Sequence, residues 1–167
     1  MKGIQKIKTN IAARPSGIWT LNFIDEWTGK VVRTIRKKNH IPDIALATYA
    51  AQFSSARTVN IGDNLYVCLG TDSTAAADGN VNLGAETIRK AVTVNESSSV
   101  VASIYAYFTS SEVGGSTYRE IGLKGNGNTT TASASANSGI LFSRSAQTIA
   151  VPGSQGLQAQ YDLTFSR

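Results

Sequence analysis

The chain of 167 residues suits one domain, or one domain with an arm, because most single domains contain on the order of 100–150 residues. Only 16% of its residues are charged, against about 25% in an average protein, so the exposed surface must be polar without being ionic. This composition is typical of loop-rich β proteins held in assemblies. The length argues against two enzyme-sized domains. The composition argues against a heavily charged cytosolic enzyme.

The counts of cysteine and histidine limit the chemistry of the chain. The single cysteine, Cys68, excludes an internal disulfide, and the single histidine, His40, cannot by itself build a zinc site, which needs several ligands. A nucleophilic triad also lacks its base, since His40 is the only conventional one and no Gly-x-Ser-x-Gly motif is present. We therefore expect no cofactor and no metal.

The start of the chain carries scattered cations, which interrupt any apolar run. The pattern of a secretory signal is therefore missing, and no stretch of the sequence approaches the roughly 18 apolar residues of a membrane span. We expect synthesis in a cytoplasm and no membrane partner. The cations in question are Lys2, Lys6, Lys8 and Arg14.

The net charge of +5 is unevenly distributed along the chain. Residues 1–38 hold nine cations and two acids, whereas residues 39–167 hold seven cations and nine acids. A basic front end on a slightly acidic body predicts an arm, residues 1–17, or an edge that docks on another subunit or on nucleic acid. A solvated edge strand protected by its charges is an equally good interpretation.

Two alternating segments begin the folded part of the chain. Residues 18–24 and 30–36 alternate apolar and polar side chains, and the turn between them, with Trp27 at its tip, predicts a β-hairpin. Pro42 and Asp43 are start signals for a helix of about three turns. The apolar residues of this helix that would lie on a sheet are four apart: Ile41, Ala45, Tyr49 and Phe53.

The rest of the chain has the pattern of β-strands. We expect them at residues 65–69, 87–94, 100–109, 118–124, 140–144 and 157–166. The last strand alternates most regularly, with one side formed by Leu157, Ala159, Tyr161, Leu163 and Phe165. A long polar connection spans residues 70–85. A second connection, residues 125–139, has no large apolar or charged side chain, so we expect it to be mobile or ordered only by a partner.

These elements predict a mainly β fold. We expect a two-sheet antiparallel sandwich or jelly roll of about eight strands, with one short helix after the first hairpin. A βαβ architecture is disfavoured, because only one helical pattern separates any pair of strands. Residues 18–167 would form this single domain, and residues 1–17 would form the basic N-terminal arm.

Few residues have the pattern of a metal, phosphate or catalytic site. The glycines at positions 122, 125 and 127 precede no helix and no Lys-Ser/Thr pair, so they do not form a phosphate loop. No EF-hand register fits residues 74–85, although Asp72 and Asp78 could form an irregular cation site. The sequence gives no reason to pair two carboxylates for glycoside hydrolysis among Glu96, Glu112, Glu120 and Asp162.

Exposed aromatic side chains are the remaining candidates, since both sugars and bases stack on flat rings. Tyr105 and Tyr107 share one face of a strand, where cross-strand packing is the commoner role. Trp27, at an exposed turn, is a better candidate for contact with another chain. Cys68 lies in an apolar strand and is expected to be a small buried residue.

Three passages carry a resemblance to a known group of proteins. They are TGKVVRTIR (28–36) leading through Asn39 into residues 41–53; LYVCLGT (65–71) with LGAE (83–86) and RKAV (89–92); and EIGL (120–123) with LFSR (141–144) and the closing strand. Together these strand and turn patterns resemble the small β-sandwich proteins of tailed bacteriophage virions, of the tail-fibre, tail-tip and head-appendage type.

The resemblance implies a non-enzymatic virion component, usually multimeric, that is made in the bacterial cytoplasm and carried into the particle. The shortness of the chain favours a compact tail, tail-hub or head-surface piece over a receptor-binding spike. The expected partners are further copies of the chain and other virion proteins. From the charge pattern and from the exposed turn that carries Trp27, we expect subunit contacts at Lys2, Lys6, Lys8, Arg14 and Trp27.

Other functions stay open from the sequence. A lectin-like module could recognise host-surface glycan through residues 70–85 and 125–139, and a head-surface decoration protein would share the same architecture. Nucleic-acid binding by the basic segment is less favoured, because self-complementary charge explains the same cations. An enzyme is the least favoured of these functions.

Overall fold

A computed structural model describes residues 15–52, 64–98, 100–127 and 138–165, and these form nine strands and two helices. The first hairpin and helix are β1 (Pro15–Asp25), β2 (Lys30–Lys38) and α1 (Asp43–Ala51). The middle of the chain forms β3 (Tyr66–Gly70), β4 (Glu86–Ala91), β5 (Val94–Ser98) and β6 (Val101–Phe108). The rest comprises α2 (Ser110–Val113), β7 (Thr117–Gly125), β8 (Ile140–Ala150) and β9 (Gln155–Phe165).

The strands form two antiparallel sheets that pack face to face as a β-sandwich. One sheet has five strands in the order β2-β1-β9-β6-β5, and the other has four in the order β4-β3-β7-β8. Four successive hairpins alternate between the sheets, and β9 then returns between β1 and β6. The predicted two-sheet antiparallel sandwich is confirmed, whereas the jelly-roll alternative is not.

The core lies between the sheets and follows from the alternation of β1 and β9. Alternate side chains of these two strands are buried against the inner face of the four-stranded sheet: Trp19, Leu21, Phe23, Leu157, Ala159, Tyr161 and Leu163. Phe165, predicted to continue this apolar side, is instead largely exposed at the end of β9, where its ring meets Tyr49 of α1. Of the predicted helix stripe, Phe53 falls outside the described residues.

The structure corrects two details of the sequence prediction. The single strand predicted over residues 87–94 is two strands, β4 and β5, which belong to different sheets. The chain changes sheet between Val92, whose N–H donates to the carbonyl of Leu65, and Thr93, whose N–H donates to the carbonyl of Tyr105. Helix α2 is also additional; Thr109 and Glu112 begin it with a reciprocal capping box.

A buried polar cluster joins the two sheets where the chain leaves β2. The indole N–H of Trp19 donates to Ser143 Oγ at 3.0 Å. The Asn39 amide donates to the same oxygen and to the Tyr161 hydroxyl, both at 2.8 Å. Because Trp19 and Tyr161 lie in the five-stranded sheet and Ser143 in the other, these bonds fix the position of one sheet against the other.

The polar connection between β3 and β4 packs on the outer face of the four-stranded sheet. We call residues 71–85 the cover segment. Its Leu83 is buried in a second, smaller apolar cluster with Tyr66, Cys68 and Leu141. Gly122 of β7 permits this contact, since a Cβ there would lie 2.6 Å from a methyl carbon of Leu83. The four-stranded sheet is therefore covered on both faces.

Glu120 holds the cover segment in place. Its side chain is fully buried, and its carboxylate accepts the backbone N–H groups of Gly84 at 3.0 Å and Ala85 at 2.7 Å. Arg144 Nε donates to the same carboxylate at 2.9 Å, while the other guanidinium nitrogens bind Asp72 and Asn80. One buried ion pair thus binds backbone and side chains of the connection to β7 and β8.

A second buried ionic group lies at the other end of the same face. Glu86 pairs with Arg89 Nε at 2.5 Å and with the Lys124 ammonium at 3.4 Å. Lys124 also donates to Asn82 of the cover segment at 2.9 Å. Burial lowers the pKa of Lys124, and the neighbouring Glu86 carboxylate opposes that shift. Arg89 donates to Ser138 Oγ at 2.7 Å and so ties the start of β8 to β4.

We expect Glu120→Gln to destabilise the protein by about 3–5 kcal/mol, because it leaves the buried Arg144 guanidinium without its principal counter-charge. The loss is measured by urea-induced unfolding. Native-state hydrogen exchange should also show faster opening at Gly84 and Ala85, whose amides the carboxylate binds. Glu96→Gln, at an exposed residue, is the matched control; equal loss in both variants would contradict a special role for Glu120.

Candidate functional site: the open face and basic edge of the five-stranded sheet

The outer face of the five-stranded sheet is partly exposed in the described residues; we call it the open face. Directly paired residues of antiparallel strands point to the same side, so the side chains form rows across the sheet. The first row contains Tyr107, Gln158, Asn22 and Thr34. The second contains Tyr105, Gln160, Thr20 and Arg36. The third contains Glu96, Ser103, Asp162, Ile18 and Lys38.

Hydrogen bonds between side chains order the first row of the open face. Thr34 donates to the Asn22 carbonyl oxygen at 2.8 Å, and the Asn22 amide donates to the Gln158 carbonyl oxygen at 3.1 Å. This chain of bonds orients the Gln158 side-chain amide and leaves its N–H groups as donors for other partners. The side chains of the first row are therefore held in fixed orientations.

The third row holds the acidic side of the open face. Asp162 accepts hydrogen bonds from Ser103 at 2.7 Å and from the Gln160 amide at 2.9 Å. Glu96 lies two strands away in the same row, exposed on β5, and forms no ion pair with another described residue. The structure thus places in one row two carboxylates that no sequence pattern associates.

A shallow cavity opens on this face across the neighbouring strands β5, β6 and β9. Its lining includes Tyr105, Tyr107, Glu96 and Gln158. Tyr107 reaches over Gly156, where a Cβ would lie 2.3 Å from the phenolic oxygen. The two tyrosines are half-buried on the outer side of β6 rather than packed in the core. Ligand contact is thus sterically open to both rings.

Glu26, in the β1–β2 turn, fixes one of these tyrosines. Tyr107 donates its hydroxyl to the Glu26 carboxylate at 2.7 Å. The Ser110 N–H donates to the same carboxylate at 2.8 Å, and the Ser110 hydroxyl also binds it. Burial and this hydrogen bond raise the pKa of Tyr107 to about 12, so the phenol stays protonated near neutral pH. The first turn of α2, the hairpin and the cavity are thereby connected.

Strand β2 forms one edge of the sheet and is exposed at eight of its nine residues. It carries five cations and no acid: Lys30, Arg33, Arg36, Lys37 and Lys38. Of these, Arg33 is engaged, since its guanidinium lies 3.6 Å from the centre of the Phe23 ring and donates to the carbonyl of Ala150. The other four form no ion pair with any residue in the described ranges.

The exposed apolar side chains of the same edge cluster at the hairpin turn. Trp27 is 96% exposed, and Val31 and Val32 are each about half exposed. Asp25 shapes the turn by accepting the Thr28 N–H at 2.8 Å, and Gly29 closes it at a positive φ of 68°. The structure thus places Trp27 at the tip of the hairpin, away from the core. The other residues expected at subunit contacts, Lys2, Lys6, Lys8 and Arg14, lie outside the described residues.

The acidic candidates on the cover segment each lie beside a nitrogen-bearing side chain of another element. Asp72 binds Arg144 at 2.9 Å, and Asp78 lies 2.8 Å from His40 Nε2. His40 itself pairs its backbone with Arg144 of β8. Among the described residues, no group of three or more His, Cys, Asp or Glu side chains could hold a metal ion. Asp72 and Asp78, the two residues considered for an irregular cation site, thus have different side-chain partners, Arg144 and His40.

The other residues considered from the sequence as candidate site residues, Cys68, Glu120 and Glu112, are buried or bonded within the fold. Cys68 is fully buried, and burial raises the pKa of its thiol, as suits an unreactive apolar residue. Glu120 is the buried anchor of the cover segment, and Glu112 caps α2 and pairs with Lys90 at 2.6 Å. No helix within the described ranges is long and apolar enough to cross a membrane.

No sequence pattern identifies Gln158 or Asn22 as candidate binding residues. The alternation of β9 predicts a polar face that includes Gln158, but it does not say which strands flank it. Only the pairing of β9 with β1 and β6 brings these amides beside Tyr107.

Comparison with known proteins finds no match, either to a protein-family model or to a curated protein. The functional interpretation therefore depends on the geometry of the open face and of β2.

The Glu26 carboxylate gives the hairpin and α2 a defined pH dependence. Hydrogen bonds from Ser110 and Tyr107 hold its pKa below the ordinary value. These bonds therefore stabilise the fold fully above about pH 4.3, and their contribution is lost as the pH falls through the lower, folded-state pKa.

An NMR titration of the Glu26 carboxyl should have its midpoint below about 4.3. Tyr107→Phe removes one hydrogen bond and should raise that midpoint, whereas Tyr105→Phe, on the same strand face, should leave it unchanged. A midpoint at or above the ordinary value in the unaltered protein would contradict the assignment.

Proposed function

We propose that this protein is a non-enzymatic structural subunit of a tailed bacteriophage particle, associated with the tail or tail hub, that assembles as a homo-oligomer through its strand edges and basic arm. The observation that carries the proposal is β2, a nine-residue edge strand that is exposed, wholly cationic in its charges and flanked by an exposed tryptophan. An uncovered edge of this length must be either protected or used for pairing, because its free backbone groups can add another strand.

The charges favour pairing between unlike edges over pairing between like edges. Two copies of β2 side by side would bring cations against cations, which is unfavourable. The opposite edge of the same sheet is β5, which has the sequence VNESS with one acid and no cation. A β2 edge that docks on the β5 edge of the next copy would continue the sheet and neutralise charge.

The rows of the open face support the same direction of assembly. The third row runs from Glu96 at the β5 edge to Lys38 at the β2 edge. Successive copies would therefore bring the acidic end of one row beside the basic end of the next. A head-to-tail contact of this kind gives a ring if its rotation closes and an open filament if it does not.

The basic arm supports the proposal through its point of attachment. Pro15 is the first residue of β1. It lies at the end of the sheet where Ile18 of β1 pairs with Lys38 of the neighbouring strand β2. Residues 15–17, predicted to belong to the arm, pair with β9 and are part of the sheet. The part of the arm that we propose contacts a neighbouring copy is then residues 1–14, whose sequence has cations at Lys2, Lys6, Lys8 and Arg14.

We expect the purified full-length chain to form a discrete oligomer or filament that dissociates as the salt concentration rises, because the docking charges are exposed to solvent. Native mass spectrometry and light scattering measure the size. The double variant Arg36→Glu, Lys38→Glu reverses two exposed charges of β2 and should shift the population toward monomer. Deletion of residues 1–14 should act in the same direction.

Arg119→Glu is the matched control, because Arg119 is an exposed cation on β7, in the other sheet. It should leave the native mass unchanged. A monomer at all concentrations, or an oligomer that neither the β2 variant nor the deletion alters, would overturn the assembly proposal.

The particle setting is supported by the sequence resemblance and is tested by the genes that flank the coding sequence. Phage assembly genes cluster by module, so tail or tail-hub genes should lie on either side. Flanking capsid genes would favour a head-surface decoration protein instead. A neighbourhood of metabolic or housekeeping genes would overturn the virion assignment while leaving the assembly proposal standing.

A further inference from the structure

We propose that the cavity between Tyr105, Tyr107, Glu96 and Gln158 on the open face is a binding subsite for one uncharged sugar residue of a glycan. This ligand site goes beyond the assembly function. It also differs in place from the lectin-like alternative considered from the sequence, which used residues 70–85 and 125–139. The cover segment in fact packs on the other sheet, bound to Glu120.

The cavity combines the groups that recognise sugars. Tyr105 and Tyr107 lie on one face of β6, two residues apart, and offer aromatic surface for the apolar C–H face of a pyranose ring. Glu96 offers a carboxylate acceptor for hydroxyl donors, and Thr93 adds a hydroxyl at the rim. A small-molecule site usually combines aromatic rings with a small number of polar groups that point into it.

The polar groups are held ready for a ligand. The Asn22 amide donates to the Gln158 carbonyl oxygen, which orients the Gln158 side chain and leaves its N–H groups as donors for a ligand. Tyr107 donates a hydrogen bond to the Glu26 carboxylate, so its phenolic oxygen can accept a hydrogen bond from a ligand. A sugar hydroxyl both donates and accepts, so vicinal hydroxyls can satisfy the Gln158 donor and the Glu96 acceptor at once.

The charge of the site selects the class of ligand. Glu96 lines the cavity and Asp162 lies in the same row, two strands away, so this end of the open face repels anions. A nucleotide, a phosphorylated lipid or an acidic sugar would bring a negative charge toward these carboxylates. An uncharged hexose or N-acetylhexosamine meets no such cost.

The size of the site limits the ligand to one ring. The cavity measures about 220 Å³, below the roughly 300–1,000 Å³ of a pocket for a drug-sized molecule. It is also open to solvent on the flat sheet, so the rest of a glycan can extend away across the rows. Such a site binds weakly alone and gains strength when a multimer presents several copies.

The test uses the full-length chain and a panel of neutral and acidic glycans on an array, followed by saturation-transfer NMR with free monosaccharides up to millimolar concentration. We expect at least one neutral sugar to bind and to receive saturation from the ring protons of Tyr105 and Tyr107. Glu96→Gln and Tyr105→Ala should each weaken binding by about tenfold or more. Tyr105→Phe keeps the ring and should stay within about threefold of the unaltered protein.

Two controls separate the sugar site from assembly and from misfolding. Asp43→Asn removes an exposed acid on α1 and should not affect binding. The Arg36→Glu, Lys38→Glu variant should keep its affinity for the monosaccharide even where its oligomer is lost. If Tyr105→Ala fails to fold, Glu96→Gln and the tyrosine saturation transfer still decide the question.

Three results would overturn the proposal. The first is the absence of any neutral sugar that binds at millimolar concentration. The second is binding that Glu96→Gln and Tyr105→Ala leave unchanged, which would place the sugar elsewhere. The third is a preference for acidic glycans, which would contradict the charge argument.

Discussion

The arrangement of this protein depends on one buried ion pair, that of Glu120 with Arg144. A charged pair buried in a sheet costs desolvation energy, and it is stable only where further hydrogen bonds satisfy both partners. Here the cover segment supplies them, through the amides of Gly84 and Ala85 and through Asp72. The ion pair therefore holds the segment, and the segment completes the ion pair. Neither would be stable alone on this face.

This pairing decides which surface is open to partners. With the cover segment on the four-stranded sheet, the five-stranded sheet keeps its outer face and its β2 edge free of any described connection. The open face then presents an acidic end at Glu96 and a basic end at Lys38. Strand addition uses backbone groups at the rim, whereas the cavity opens on the flat surface. Glu96, at the β5 edge, takes part in both proposals.

Glu26 links the hairpin turn to the cavity and to α2. It lies in the turn that exposes Trp27, and it also binds Tyr107 at the cavity and Ser110 at the start of α2. A contact at the hairpin tip and a ligand at Tyr107 thus bear on one hydrogen-bonded group.

The sequence by itself determined the sandwich, the first hairpin with Trp27 exposed, α1 and the polar face of β9, because local alternation and turn residues report directly on these elements. Only the tertiary structure decided the rest. The switch of sheet after Val92 leaves no local signal, since β4 and β5 are both extended. Glu120, Arg144 and Lys124 have the composition of surface residues, yet they are buried because each finds its partner from a distant strand or from the cover segment. The cavity likewise exists only because β9 pairs with both β1 and β6, and strand order is a property of long-range packing that residue periodicity does not encode.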